Sequence, residues 1–222
     1  ALEQLELIGA DRVSTPAAVG GGDAAFERLQ LRDVRHTYRR DDEDGEFAFG
    51  PVTLELAPSE VVFVVGGNGS GKTTLAKLLV GLYEPASGSV LLNGRVIAGD
   101  AAWEAYRQNF ATVFQDFHLF DSLIGIGGER AVAPARALLA ALDLEHKVVI
   151  RDDVFSTTDL SSGQRKRLAL LVAWLEERPV YVFDEWTADQ DPAYRDVFYR
   201  QVLPALKARG KAVLVITHDD RY

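Results

Sequence analysis

A glycine-rich segment in the first half of the chain has the residue types and spacing of a phosphate-binding loop. It fits the pattern G-x-x-x-x-G-K-[ST], follows an apolar run and opens a helical pattern, which is the context that the motif requires. Glycines let backbone N–H groups surround phosphate oxygens, and a helix N-terminus adds partial positive charge. Lys72 can neutralise the β- and γ-phosphates, and the Thr73 hydroxyl can bind Mg²⁺. The residues predicted to contact the nucleotide are Gly66, Asn68, Gly69, Ser70, Gly71, Lys72, Thr73 and Thr74.

The alternative for this segment is a glycine-rich turn with an exposed lysine. Such a turn does not explain why the segment lies between a strand pattern and a helix pattern. The phosphate-binding interpretation is therefore the stronger one.

Two acidic residues, Asp184 and Glu185, follow a second apolar run that covers residues 180–183. Open α/β sheets bind ligands outside the carboxyl ends of their strands, so acids at this position are expected to face a ligand. Asp184 is predicted to hold Mg²⁺ through water, and Glu185 to orient or deprotonate an attacking water. The alternative is that both acids only solvate a strand end, or that Glu185 pairs with an arginine. The glycine-rich loop upstream makes that alternative a minor one.

A short serine- and glycine-containing segment, Leu160-Ser161-Ser162-Gly163-Gln164, precedes the most regular helical pattern of the chain. Ser161 can cap that helix and offer its hydroxyl to a phosphate, and Gly163 permits a close backbone approach. The alternative is a plain helix cap without a ligand. The segment resembles the LSGGQ signature of ABC ATPases, with Ser162 in place of the first glycine.

This resemblance implies roles for four further residues. Gln115, after the strand ATVF, matches the glutamine that approaches Mg²⁺ and links the ATPase to the transporter, and His218, after VLVIT, matches the histidine that contacts the γ-phosphate. Asp191 falls at the D-loop position. Tyr38 matches the aromatic residue that stacks on adenine, although a core or hairpin tyrosine is a rival interpretation. By the same resemblance, Ser161, Ser162, Gly163 and Gln164 contact nucleotide.

The elements that must position these residues follow from apolar periodicity. Residues 29–38 and 52–56 alternate as in half-exposed strands, and the acidic run 41–46 between them is expected to be a hairpin turn. The continuous apolar run 61–65 predicts a strand that is buried on both faces. Helical patterns and apolar runs then alternate, which indicates an α/β fold with a mainly parallel sheet beside a small antiparallel one. The predicted helices cover 73–82, 129–143, 163–177 and 192–209, and the predicted strands cover 89–92, 111–114, 180–183 and 213–216.

Composition limits the class of protein. The chain has 222 residues, of which 47% are hydrophobic and 26% charged, as in an ordinary globular domain and unlike a disordered or fibrous chain. It has no cysteine, which excludes a disulfide framework and a thiol nucleophile. No apolar run approaches the ~18 residues that suggest a membrane span. The net charge of −9 argues against a general nucleic-acid-binding surface, so no nucleic-acid partner is expected.

Several segments are similar to one subgroup of ABC proteins, the bacterial exporters of cyclic peptides and siderophore peptides (the pyoverdine and syringomycin type). These segments are 113–121, 160–179, 182–192, 198–211 and 216–222. The resemblance implies a P-loop NTPase of the ABC ATPase class over residues 26–222, with a helical subdomain at about 116–165. Residues 1–25 would be a helix tail and a glycine-rich linker from an upstream membrane domain. The last elements of an ABC domain are expected to be missing after Tyr222.

The resemblance also implies a function and partners. The chain would bind and hydrolyse ATP with Mg²⁺ to power export of a peptide or siderophore-like substrate. It would pair head to tail with a second copy around ATP, next to a transmembrane domain at the cytoplasmic face of the bacterial inner membrane. Segment 152–159 lacks the E-V-G-x-x-G pattern of many multidrug exporters. The resemblance therefore does not indicate how the helical subdomain contacts the membrane domain.

Two alternatives belong to other classes. A soluble ABC ATPase that acts on nucleic acid or ribosomes would have a long coiled-coil insertion or two cassettes. Only 88 residues separate Lys72 from Leu160, and one cassette is present. A catalytically idle ABC-like module is opposed by the co-occurrence of Lys72, Thr73, Asp184, Glu185 and His218.

Overall fold

Within the part of the chain that the structure describes, two four-stranded sheets, one antiparallel and one parallel, support the fold, together with a separate two-stranded hairpin. The computed structural model describes residues 25–39, 46–123, 125–126 and 129–218. The predicted N-terminal helix and glycine-rich linker lie outside these ranges, as does the acidic run except for Glu46. Within the described ranges, no helix has the length and apolar character needed to cross a bilayer.

The antiparallel sheet has the strand order β2-β1-β4-β5, from strands β1 (Leu29–Arg39), β2 (Glu46–Leu56), β4 (Ser87–Leu92) and β5 (Arg95–Val96). Strand β1 pairs with β2 from Leu29↔Leu56 to Arg39↔Glu46. These strands are therefore hairpin neighbours around the acidic run, as predicted. Alternation along β1 buries Leu29 and Leu31 completely on the inner face.

The parallel sheet has the order β3-β10-β9-β6, from strands β3 (Val61–Val64), β6 (Phe110–Val113), β9 (Val180–Asp184) and β10 (Ala212–Ile216). Every residue of β9 and β10 is buried, because helices or the other sheet cover both faces of these β-branched and aromatic runs. One face of β9, with Val180 and Val182, packs in a core that includes β1 and helix α1 (Lys72–Leu79). The other face, with Tyr181 and Phe183, packs in a second core.

That second core also contains residues of helices that follow β6 in the chain. Helix α3 (Glu129–Ala141) and helix α4 (Ser162–Leu175) contribute to it, and so does the hairpin of β7 (Ile150–Arg151) and β8 (Val154–Phe155). The predicted helix at 192–209 is a succession of α5 (Pro192–Val197), a π-helical turn (Phe198–Val202) and α6 (Leu203–Ala208). All four predicted helices and most predicted strands are present within three residues of their expected bounds, whereas β2 begins six residues before the predicted strand at 52–56.

The structure differs from the sequence prediction in two respects. Strand β3 was predicted to be buried on both faces, and this is wrong: Phe63 is 41% exposed, because β3 is an edge strand that pairs only with β10 among the described residues. The pattern also missed β5, the β7–β8 hairpin and helix α2 (Asp100–Arg107). Helix α2 is only eight residues long and buries just Trp103 and Tyr106, which is too few apolar positions to establish a period.

Candidate nucleotide site

The glycine-rich loop connects the end of β3 to the start of α1. The Lys72 ammonium lies inside the curve of the loop, where it donates hydrogen bonds to the carbonyl oxygens of Gly66 (2.9 Å) and Gly67 (3.0 Å). Lys72 is buried, whereas residues 66–70 are exposed. The loop therefore presents backbone to solvent around a single positive charge, an arrangement suited to a polyphosphate.

Two glycines of the loop need a conformation that other residues rarely adopt. Gly69 has φ +75° and Gly71 has φ +90°. A Cβ atom at Gly71 would also lie 2.5 Å from Cδ2 of Phe49, a β2 residue that packs against the base of the loop. Sequence patterns missed Phe49, because nothing in the alternation of β2 distinguishes it.

The loop reaches the acidic strand end through Thr73. Its hydroxyl donates a hydrogen bond to Oδ2 of Asp184 at 2.9 Å, while Oδ1 of Asp184 is buried and has no hydrogen-bond partner. Burial raises the pKa of Asp184, and the negative charges of Glu185 and Asp116 act in the same direction, against the hydrogen bond from Thr73. A buried carboxylate oxygen without a partner, beside a hydroxyl, is a set of hard oxygen donors that fits Mg²⁺.

The two residues predicted to act on water contact each other. Nε2 of His218 lies 2.8 Å from Oε1 of Glu185. Strands β9 and β10 are parallel neighbours, paired from Ala212↔Val180 to Ile216↔Asp184, so both residues emerge at the same sheet edge. The Glu185 amide donates to the carbonyl of Ile216 at 3.0 Å, which ties the two strand ends together.

Gln115 lies at the same edge, two residues beyond the end of β6, the other neighbour of β9. Its side chain is exposed. The adjacent Asp116 raises the pKa of Asp184 through its charge, which shows that this segment lies near the buried carboxylate. Asp116 was not predicted as a site residue, although it directly follows the glutamine that was.

The signature segment begins α4. Ser161 is the N-cap and forms a capping box with Gln164: Oγ of Ser161 accepts from the Gln164 amide, and Oε1 of Gln164 accepts from the Ser161 amide. Among the described residues, no hydrogen bond or ion pair joins residues 160–164 to the glycine-rich loop. The structure therefore groups the glycine-rich loop with the acids and leaves the predicted signature outside that group.

The signature instead contacts the segment that follows Glu185. Ser162 Oγ donates to Oδ2 of Asp189 at 3.1 Å, and a Cβ atom at Gly163 would lie 2.8 Å from the Asp189 carbonyl oxygen. Gln190 Nε2 donates to the Gly163 carbonyl at 3.0 Å. Glycine at 163 is thus required by a close backbone approach, as its type suggested, although the partner is the protein itself.

For the last two predicted site residues, the structure gives the position in the backbone. Asp191 is the exposed N-cap residue of α5, next to the segment that contacts the signature. Tyr38 belongs to β1, where it pairs with Phe47 of β2. The side chain of Tyr38 lies outside the described part of the structure, so its contact with adenine stays a prediction.

Sequence reasoning missed a group of buried polar residues behind the site. Lys166 is 2% exposed, and its ammonium lies between the Glu185 carbonyl and Asp189. The Tyr199 hydroxyl lies 3.3 Å from Thr187 Oγ1 and 2.9 Å from Thr217 Oγ1. A lysine four residues after Ser162, inside an apolar helical pattern, was the one available signal for this group.

Comparison with known proteins gives consistent results. The family described as ABC transporter matches residues 49–188, more than half of the chain. The chain is 48% identical over 197 residues to ATP-binding protein SyrD of Pseudomonas syringae pv. syringae, with 87% of this chain and 35% of that protein covered. It is 34% identical over 224 residues to an ATP-dependent lipid A-core flippase of Ralstonia nicotianae, with 93% of this chain and 37% of the flippase covered. The chain thus spans about a third of the length of these two relatives.

Solved structures show the same fold. A bacterial Atm1-family ABC exporter with ATP bound has a TM-score of 0.70 at 24% identity, over 98% of this chain and 39% of the exporter chain. CbiO1 of Clostridium perfringens, described as part of the ABC transporter complex cbiONQ, has a TM-score of 0.67 at 26% identity, over 88% of this chain and 80% of that one.

Proposed function

The chain belongs to the ABC transporter family, and on that basis we propose that it is the ATP-binding and ATP-hydrolysing domain of an exporter of peptides or siderophore-like molecules. The observation that carries this proposal is the convergence of the phosphate loop, the Thr73–Asp184 pair and the Glu185–His218 pair at one sheet edge. The name ATP-binding protein SyrD supports ATP as the nucleotide that this chain binds.

Each part of the site has a task in this proposal. The exposed amides of the loop and the Lys72 ammonium hold the triphosphate, with Thr74 at the start of α1 supporting them. Thr73 and Asp184 would hold Mg²⁺, with Gln115 contributing from the segment that follows β6, and the ion would neutralise phosphate charge. All of these groups project from the carboxyl edge of the parallel sheet, where ligands of such folds bind.

Hydrolysis requires a water aimed at the γ-phosphate. Glu185 accepts a hydrogen bond from that water and takes its proton, and the contact between Glu185 and His218 orients the carboxylate. The side chain of His218 is 41% exposed, so a nucleotide at this edge can reach the ring, and the ring N–H can donate either to Glu185 or to the γ-phosphate. The two side chains thus link the water to the phosphate that it attacks.

The position of the signature segment, residues 160–164, suggests a second copy of the chain as a partner. Because no described contact joins it to the glycine-rich loop of the same chain, we propose that Ser161 to Gln164 and Asp191 meet the nucleotide of a second copy in a head-to-tail dimer. A membrane domain on the same polypeptide, at the cytoplasmic face of the bacterial inner membrane, would complete the exporter. The name of MacB of Escherichia coli, a macrolide export ATP-binding/permease protein that is 30% identical and covered over 31% of its length, supports both export and a fused permease.

The proposal of a peptide cargo rests on segments such as 182–192 and 216–222, which are similar to the corresponding segments of cyclic-peptide exporters. The main alternative is a soluble ABC-class ATPase without a transport task. Expression with the upstream coding sequence distinguishes them: a transporter domain is found in the membrane fraction, and a soluble ATPase in the supernatant.

Hydrolysis is tested with Glu185→Gln. We expect the variant to bind Mg-ATP with unchanged affinity and to hydrolyse it about 10²–10⁴-fold more slowly, the usual loss on removing a general base. Nucleotide affinity is measured by fluorescence titration and turnover by phosphate release. Turnover near that of the wild type would remove Glu185 from the mechanism, whereas a wild-type chain without any Mg-dependent turnover would refute the ATPase proposal itself.

A further inference from the structure

A buried lysine lies directly behind the hydrolytic carboxylate. Lys166, in the first turns of α4, is 2% exposed, and its Nζ lies 2.8 Å from Asp189 Oδ2 and 2.9 Å from the Glu185 carbonyl oxygen. A buried ammonium is tolerated only when it is paired and hydrogen-bonded. Both partners of Lys166 belong to the segment that follows β9, so its charge acts on that segment.

Glu185 has a backbone conformation that needs support. Its φ is +52°, in the left-handed region that is uncommon for residues other than glycine. The Glu185 amide donates to the Ile216 carbonyl. The Glu185 carbonyl accepts from Lys166 at 2.9 Å and from the Ala188 amide at 3.2 Å, so the peptide groups on both sides of the residue are fixed. This unusual turn directs the carboxylate toward His218.

Asp189 holds the ammonium in place. Its Oδ2 accepts from both Lys166 and Ser162, and the hydrogen bond from Lys166 lowers the pKa of Asp189, so the carboxyl stays ionised. A second contact runs in the opposite direction, since the Trp186 indole N–H donates to the Lys166 carbonyl at 2.9 Å. The first turns of α4 and the segment after Glu185 are therefore joined by contacts in both directions.

We propose that Lys166 is a positioning residue for Glu185: its ammonium fixes the left-handed turn that aims the carboxylate, and Asp189 is the counter-ion that makes this buried charge stable. The inference rests on the proposed ATPase function and adds a residue that acts through the backbone of Glu185. It also makes the orientation of Glu185 depend on the N-terminal end of α4, which carries the signature.

The first test replaces the ammonium with an apolar side chain of similar length. We expect Lys166→Met to lower kcat about 10–100-fold, the range that follows from a misplaced catalytic group, while the KM for ATP stays within about twofold. Lys211→Met is the matched control. Lys211 Nζ likewise donates to a backbone carbonyl (Glu177, 2.8 Å) and pairs with a carboxylate (Glu177 Oε2, 3.3 Å). Among the described residues, no predicted site residue forms a hydrogen bond or ion pair with Lys211. Lys211→Met should leave kcat unchanged.

The second test asks whether Lys166 acts through Glu185. In a chain that already carries Glu185→Gln, adding Lys166→Met should cause no further loss of turnover, because the group being positioned has lost its chemistry. A general structural role would instead lower the residual rate of that chain by the same factor as in the wild type. This comparison is independent of how stable the variants are, provided that circular dichroism shows them folded.

The third test removes the counter-ion Asp189 alone and then replaces both members of the Lys166–Asp189 ion pair. Asp189→Ala alone leaves the Lys166 charge buried without its counter-ion, so we expect a lower Tm and lower kcat. Lys166→Gln/Asp189→Ala replaces the ion pair with an amide that can still donate to the Glu185 carbonyl. The double variant should therefore be more stable than Asp189→Ala and recover most of the lost kcat, and it serves as the readout if Lys166→Met fails to fold.

The experiments distinguish failure of the positioning proposal from failure of the ATPase proposal. If the wild type shows no Mg-dependent hydrolysis, the proposed function fails. If the wild type is active and folded Lys166→Met keeps its kcat, or if the double variant recovers nothing relative to Asp189→Ala, the positioning role of Lys166 is refuted.

Discussion

The carboxylate of Asp184 is fully buried, and one of its two oxygens has no hydrogen-bond partner. Such a group costs stability whenever it is ionised, which is why burial raises its pKa. A site that binds Mg²⁺, as we propose for this one, has to accept this cost. Asp184 therefore stands where the demands of stability and of function oppose each other.

Asp184→Asn should accordingly stabilise the protein while it abolishes Mg-dependent hydrolysis. The amide keeps an acceptor for Thr73 and places an N–H₂ donor near the negative charges of Glu185 and Asp116. We expect Tm at pH 7 in EDTA to rise by roughly 2–4 °C if the gain is about 1 kcal/mol.

The pH dependence of this effect has a definite sign. A raised pKa means that the folded state binds the proton more tightly, so the wild type loses stability as the pH rises from 3.8 through the folded pKa. The Asn variant does not titrate there. Its advantage in Tm should be largest at pH 7 and should shrink toward pH 4, as measured by calorimetry. An advantage that grew on acidification would contradict the raised pKa.

At this scale the sequence predicted residues whose type is dictated by chemistry. A phosphate loop needs glycine and lysine at fixed spacing, and a hydrolytic site needs acids at a strand end. The sequence could therefore predict that Lys72, Thr73, Asp184 and Glu185 lie at one edge of the sheet, where the structure places them. Lys166 could not be found in this way, because it acts through a backbone carbonyl, and many side chains can donate to a carbonyl.

At the scale of elements, the π-helical turn between α5 and α6 contains Tyr199. Its hydroxyl lies between Thr187, two residues after Glu185, and Thr217, one residue before His218. A π turn adds a residue to the helical register, and such turns occur often at functional sites. This one allows a single side chain to connect the segments after β9 and β10.

Tyr199→Phe tests that connection. Removing the hydroxyl keeps the ring contacts with Phe63 and Phe198 but releases the two threonines. We expect a loss of about 1 kcal/mol in the free energy of unfolding, together with a several-fold lower kcat and an unchanged affinity for ATP. Urea unfolding and phosphate release provide the two measurements.

Tyr194→Phe is the control for this change. The Tyr194 hydroxyl donates to Asp143 Oδ2 at 2.9 Å and contacts neither strand end, so its loss should not change kcat. Equal kcat for Tyr199→Phe and the wild type would show that the hydroxyl bridge only contributes to stability.

Elements were predicted well where a local signal marks the boundary. Ser161, predicted as a helix cap, placed the start of α4 to within one residue. Strand β3 illustrates the limit, since a continuous apolar run indicates a strand but not how many neighbours it has. Its exposed Phe63 depends on the order of strands in the sheet, which is a property of the whole topology.

At the scale of the whole molecule, the separation of the signature from the glycine-rich loop predicts complementation between inactive chains. Lys72→Ala and Ser161→Arg should each be nearly inactive alone. In a mixed dimer, one site combines the intact Lys72 of the Ser161→Arg chain with the intact Ser161 of the Lys72→Ala chain. The other site carries both changes. We therefore expect mixing to restore one working site.

Single-turnover hydrolysis is the appropriate measurement, because steady-state turnover can require two working sites. Ser161→Asp provides a second defective partner that keeps a capping oxygen for α4. If cross-linking shows mixed dimers but the mixture gives no burst of phosphate, the two motifs do not share a site between chains.

The pairing of β3 with β10 also has a consequence for biosynthesis. In the described part of the chain, β10 is the only neighbour of the strand that leads into the glycine-rich loop, and Val61 pairs with Val213, roughly 150 positions later. At translation rates of about 5–20 residues per second, roughly 8–30 s pass between synthesis of β3 and synthesis of β10. During that interval the nascent chain carries an unpaired apolar strand, so we expect it to be a substrate for chaperones at the ribosome until residue 216 has emerged.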